Sequence, residues 1–184
     1  MNEFLQHRKE VIYHELGHWT LAKTLGFRVG NIKLEIYKDQ KSNYWHNASS
    51  EIFPQPHIQN NEELDEYLVN RICVLQAGVA SQLLISSESV DSLFKDSGKD
   101  DHSKIQELLF ILRGIRFTKE QITVKNELKQ KQVITDECWS KVVNILNNNE
   151  NKIKYIASKI ETIVKKTNEK HIIKYNDLLE WLED

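Results

Sequence analysis

The chain has 184 residues, 40% hydrophobic and 28% charged, with only 6 Gly and 2 Pro. That is enough for one domain with a packed core, and it excludes a disordered, collagen-like or linker-rich chain. The 25 Lys and Arg against 27 Asp and Glu leave a net charge of -2, which supplies no field to draw in nucleic acid or an anionic membrane. No run approaches the ~20 apolar residues of a membrane helix, and the polar start MNEFLQHRKE lacks the apolar centre of a secretion signal. A cytoplasmic protein is therefore expected. Cys73 and Cys138 have no CxxC partner and are expected to be buried, reduced thiols.

From about Arg8 to Leu25, residues Val11, His14, His18, Leu21 and Leu25 recur at three- and four-residue spacings and define one stripe of a helix, which Gly26 ends. Ile32, Leu34 and Ile36 alternate with Lys33, Glu35 and Tyr37, the pattern of a half-buried strand, read as an edge strand. Gln40 to Gln59 is polar and irregular, with room for one more short strand before a loop. Asn61-Glu62-Glu63 opens a second helix, and its stripe of Leu64, Leu68, Ile72, Leu75, Val79 and Leu83 marks it as the central one. Ser86 to Asp100 reads as a loop, followed by a third helix from about His102 to Leu112.

Beyond it, Thr118 and Thr135 are candidate N-caps, and Trp139 through Ile163 keeps a helical period that the run Asn147-Asn148-Asn149 is expected to break in two. An extended piece at Ile172 and Ile173 precedes a last short helix from Asp177 to Leu182. The fold expected is α+β and mainly α-helical, with a small β-sheet beside the first helix. A single domain over 1–184 is expected, with the site in 1–115 and a C-terminal helical part in 116–184.

The sharp signal is His14-Glu15-Leu16-Gly17-His18, an H-E-x-x-H inside the first helix. Residues four apart on a helix lie one above the other, so the two imidazoles can share one metal ion at about 2.0–2.1 Å each. Glu15 is turned one residue away, within reach of a water on the metal without being a ligand. Zn2+ brings the pKa of such a water toward about 7, and the carboxylate takes its proton during attack on a peptide carbonyl. With 7 His and 18 Glu in the chain, shuffling yields about 0.03 such motifs, so chance is a poor account. The plainer alternative is a pair of core histidines satisfied by polar neighbours.

A catalytic zinc needs a third protein ligand. The metzincin extension fails, because Leu21, Thr24 and Leu25 stand where Gly and His belong. A glutamate of the second helix, Glu62, Glu63 or Glu66, is one source in the thermolysin manner, and Ser97-Gly98-Lys99-Asp100-Asp101-His102 is a better one. Three features together resemble the peptidase domain of the FtsH family of ATP-dependent zinc metalloproteases. They are the H-E-x-x-H motif, the segment Ala77-Gly78-Val79-Ala80-Ser81-Gln82, and a Gly-containing loop ending in Asp at a helix start.

The resemblance implies a zinc site completed by an Asp from that loop. Register ranks Asp101 first, since Ile105, Leu108, Leu109 and Leu112 follow it on one inward face, with His102 and Asp100 behind it. An Asp that merely caps the third helix is the alternative. Gln82 stands where the family usually has Glu. No G-x-x-x-x-G-K-[ST] loop is present, so ATP is not expected to bind.

The expected activity is that of a zinc-dependent metalloendopeptidase acting on unfolded or flexible polypeptide, which the resemblance implies is paired as an added strand along Ile32 to Ile36. His14, His18 and Asp101 would hold the metal, and Glu15 would be the general base. The resembled proteases form rings, which implies a homo-oligomer. The alternatives are a metal-binding regulator or adaptor of the same fold without proteolysis, and a metal-free helical interaction domain. Trp19 is expected in the core, and His7, His46, His57 and His171 at the surface.

Overall fold

A computed structural model describes residues 3–41 and 43–183. The elements run α1 (Glu3–Thr24), β1 (Arg28–Lys38), β2 (Tyr44–Phe53), α2 (Asn61–Gln82), α3 (Val90–Lys95), α4 (Lys99–Arg116), α5 (Val124–Ile163), β3 (Lys170–Ile173) and α6 (Tyr175–Glu183). The architecture is mainly helical with one small antiparallel sheet beside α1, as expected from the sequence.

Helix α1 starts five residues earlier than its apolar stripe indicates, at Glu3, and stops where Gly26 takes φ 81°, a left-handed conformation that disfavours other residues. Every residue from Val11 to Ala22 is buried, because α2 and α5 cover one side and β1 and β2 the other. Helix α1 thus shares the centre with α2, which the sequence reading made the central helix alone. Trp19 is fully buried, with its indole N–H donating to Gly30 O at 2.8 Å.

The strand at Ile32 to Ile36 is not an edge. The sheet order is β2-β1-β3, so β1 lies in the middle, antiparallel to both neighbours, with Ile32 opposite Ile173 and Ile36 opposite His46. Its alternation marks the buried face but carries no information on which edges are paired, and a four-residue strand from the far end of the chain takes the second edge. The further strand allowed for within Gln40 to Gln59 is present and is longer than expected. Ten of its residues form β2, where polar side chains are tolerated because much of the strand is exposed. Strand β2 is the edge strand beside the site.

The loop expected over Ser86 to Asp100 contains α3, and α4 begins at Lys99 and continues to Arg116. Helix α5 is unbroken over 40 residues, with Thr123 as its N-cap rather than Thr118 or Thr135. The Asn run faces outward where its weak propensity costs only a few tenths of a kcal/mol per residue. Leu146 and Ile153, one heptad apart, keep the same face buried across it. Asn149 even donates to Ile145 O at 2.8 Å. Cys73 and Cys138 are buried and free. No described helix is long and apolar enough to cross a membrane.

Candidate metal centre

His14 and His18 leave α1 one turn apart toward α2 and the start of α4. Their Nε2 atoms lie 3.0 Å from each other, and Asp101 Oδ2 lies 3.3 Å from His14 Nε2 and 3.1 Å from His18 Nε2. The three residues form a group able to hold a metal ion. Ligand atoms about 2.0–2.1 Å from one tetrahedral ion are spaced about 3.3–3.4 Å apart, close to this triangle.

The other ring nitrogens fix what the triangle is made of. His18 Nδ1 lies 2.7 Å from Val74 O, which only accepts, so that nitrogen carries the proton. His14 Nδ1 lies 3.0 Å from Gln82 Oε1, which also accepts from the Ser97 hydroxyl at 2.8 Å. In the neutral rings both Nε2 lone pairs therefore point at Asp101 Oδ2, and three acceptors converge on one point. Such an arrangement is repulsive unless a cation or a shared proton sits among them. Burial disfavours charging of His18, but the Asp101 carboxylate outweighs it and raises the pKa above its ordinary value. Burial likewise opposes ionisation of Asp101, yet the two imidazoles at its Oδ2, which donate from Nε2 only when a proton is shared among the three groups, hold its carboxyl well below the usual range.

No known family's sequence profile matches this chain, and no curated protein is significantly similar to it.

Asp101 sits in the first turn of α4, whose N-cap is Gly98 with no side-chain capping bond, so its role is not that of a cap. The register argument selects it because Ile105, Leu109 and Leu112 are the buried residues of this helix. Asp100 is exposed at the rim of the cleft, and exposed His102 turns toward Phe94, with ring centres 5.5 Å apart. Glu62 is exposed at the start of α2, and Glu63 and Glu66 border a separate hollow with His57, so none of the three reaches the triangle.

Close approach of α1 and α2 makes the site possible. A Cβ on Gly78 would stand 2.5 Å from His18 Nε2 and 2.7 Å from His14 Nε2, so the imidazoles occupy the space that any other side chain would fill. A Cβ on Gly17 would collide with the Ala77 carbonyl and lie 2.5 Å from Ser81 Cβ. These two glycines let the helix backbones come together, which explains the segment around Gly78 better than any polar role.

Glu15 is buried beside the histidines and borders the same cleft, a cavity of about 450 Å³ between β2, α2 and the start of α4. The Ser50 hydroxyl lies 2.9 Å from Glu15 Oε2 and 2.6 Å from the Glu15 carbonyl oxygen. Sequence reasoning missed Ser50 and Val74, and it included Ser97 only as part of the loop that carries the third ligand. Gln82 was noted only as a departure from the family pattern, whereas it supports His14. No local signal identifies Ser50, whose role depends on β2 pairing with β1 so that position 50 stands over α1. His46 is exposed on β2, with Nδ1 3.2 Å from Nε2 of the half-buried His7.

Proposed function

We propose that the chain is a zinc-dependent metallopeptidase similar to the FtsH peptidase domain, acting on unfolded or flexible polypeptide. The observation that carries this reading is the convergence of two tautomerically fixed Nε2 atoms and Asp101 Oδ2 beside the buried carboxylate of Glu15. Two histidines and a carboxylate also suit non-haem iron; the Glu15 placement within H-E-x-x-H favours zinc and hydrolysis.

His14, His18 and Asp101 would hold the ion. When bound, zinc supplies a Lewis acid and acidifies the attacking water. Glu15 accepts that water's proton on its carboxylate and later returns it to the leaving amine. Ser50 serves both states of Glu15. It donates to Oε2 while Glu15 is ionised, and once Glu15 holds a proton Ser50 turns its own toward the Glu15 carbonyl and accepts from the carboxyl. The expected pairing of substrate along β1 is precluded, since both its edges are taken; the free edge next to the metal centre is that of β2.

The test is elemental mass spectrometry of the purified protein and its His18→Ala variant, followed by hydrolysis of an unfolded protein by wild type and Glu15→Gln. The expected result is about one zinc per wild-type chain, lost in the variant, and cleavage lost in Glu15→Gln. Zinc with no Glu15-dependent cleavage would leave the regulator. Iron in place of zinc, or no metal uptake, would overturn the peptidase reading.

A further inference from the structure

Arg71 lies on α2, one turn before Val74, whose carbonyl holds His18, and two turns before Gly78, against which both imidazoles pack. Two turns of helix span about 10 Å, the length of about three residues of an extended peptide. Its side chain borders the cleft of the metal centre together with Ser50, Ile52 and Lys104.

Among the described residues Arg71 makes no hydrogen bond and no ion pair; its guanidinium stands 5.9 Å from the Phe27 ring centre. Burial lowers its pKa, and the Tyr67 and Asp101 charges only partly offset that. A guanidinium remains charged at any working pH, and a half-buried one without a carboxylate is incompletely compensated. Arg116, at the end of α4, shows the usual arrangement, with Asp65 and Glu137 both bound to it. Lys104, 3.9 Å from Asp101 Oδ1, adds a second cation to the lining of the same cleft, whereas Glu10, Glu88 and Asp96 line, with Lys99, an adjoining hollow that shares His14 and Glu15 with it.

We infer that Arg71, assisted by Lys104, forms an anion subsite of the cleft that takes a carboxylate of the polypeptide substrate two to three residues from the bond held at the metal centre. The inference rests on the peptidase reading for its register. A planar guanidinium binds a carboxylate through two parallel hydrogen bonds, which distinguishes acidic from amide side chains of the same shape. The carboxylate can belong to an Asp or Glu side chain or to a chain terminus.

The test uses ten-residue peptides carrying one Glu, Gln or Lys at successive positions, each with a free or an amidated C-terminus. Binding to zinc-loaded Glu15→Gln protein is followed by fluorescence anisotropy, and cleavage by wild type is followed by mass spectrometry. The expected result is that Glu two or three residues from the cleaved bond is preferred over Gln by about tenfold or more. Arg71→Gln should erase the preference, and Arg71→Glu should turn it toward Lys, with thermal melts showing both variants folded. A Glu preference that survives amidation assigns the site to a side chain; binding that falls on amidation alike for Glu and Gln peptides, and only while Arg71 is present, assigns it to the chain terminus. An unchanged response to both changes in Arg71→Gln, or neither a Glu preference nor an effect of amidation in wild type, would overturn the subsite. The peptidase reading fails separately, if cleavage persists in Glu15→Gln while acidic peptides still bind through Arg71.

Discussion

Gln82 and His14 stand 68 positions apart in the chain and meet at 3.0 Å, with the imidazole Nδ1–H donating to the amide oxygen. This contact fixes the tautomer that frees Nε2 for a metal. Removing it should weaken zinc binding about 10–100-fold. Gln82→Leu is expected to show that loss in competition with a chromophoric chelator, whereas Gln82→Glu, a stronger acceptor, is expected to bind zinc at least as tightly as wild type. Equal affinity of the Leu variant would show that the contact does not orient His14.

Gly78→Ala places a methyl group in the space of both Nε2 atoms. Neither imidazole can retreat without losing Gln82 or Val74, so the variant is expected to contain no zinc after dialysis while its far-ultraviolet circular dichroism remains that of a helical protein. A variant that still holds about one zinc per chain would mean that α1 and α2 separate more easily than their packing indicates.

Glu15→Gln should lower kcat by about 10²–10⁴-fold, the usual contribution of a general base, with zinc content unchanged. Ser50→Ala removes only a hydrogen bond to that base and should cost about tenfold in kcat at constant zinc content. If Ser50→Ala lost zinc, the serine would belong to the metal site and not to the placement of Glu15.

With no metal bound, His18 and Asp101 stabilise each other, and the pH window follows from the direction of their shifts. The raised His18 pKa contributes stability that is complete below its ordinary value of 6.5 and lost as pH rises through the higher folded value. The lowered Asp101 pKa contributes stability that is present above its ordinary value of 3.8 and lost as pH falls toward the lower folded value. The melting temperature of chelator-treated wild type, taken relative to Asp101→Asn, should therefore be highest between about pH 4 and 6.5 and decline above. Zinc should reverse the decline on the alkaline side, because His18 must release its proton to bind metal. A difference independent of pH would show that the pair is not ionised.

What the sequence determined by itself is whatever depends on spacing along one element. H-E-x-x-H on a helix sets two imidazoles side by side, Gly26 ends that helix, and the buried face of α4 singles out Asp101 from its neighbours Asp100 and His102. Each is a consequence of the 3.6-residue period or of one residue's conformational freedom, which neighbouring residues express without reference to the rest of the chain. Tertiary structure decided what depends on partners far away. Strand β1 became central only because Lys170–Ile173 returned to its second edge, and period-two alternation is identical for a strand with one neighbour or two. The asparagines of α5 were overridden by burial on the opposite face. The groups that orient the site, Gln82, Val74 O and Ser50, come from α2 and β2, and reach His14, His18 and Glu15 because glycine at positions 17 and 78 lets two helix backbones approach to within a side chain's thickness.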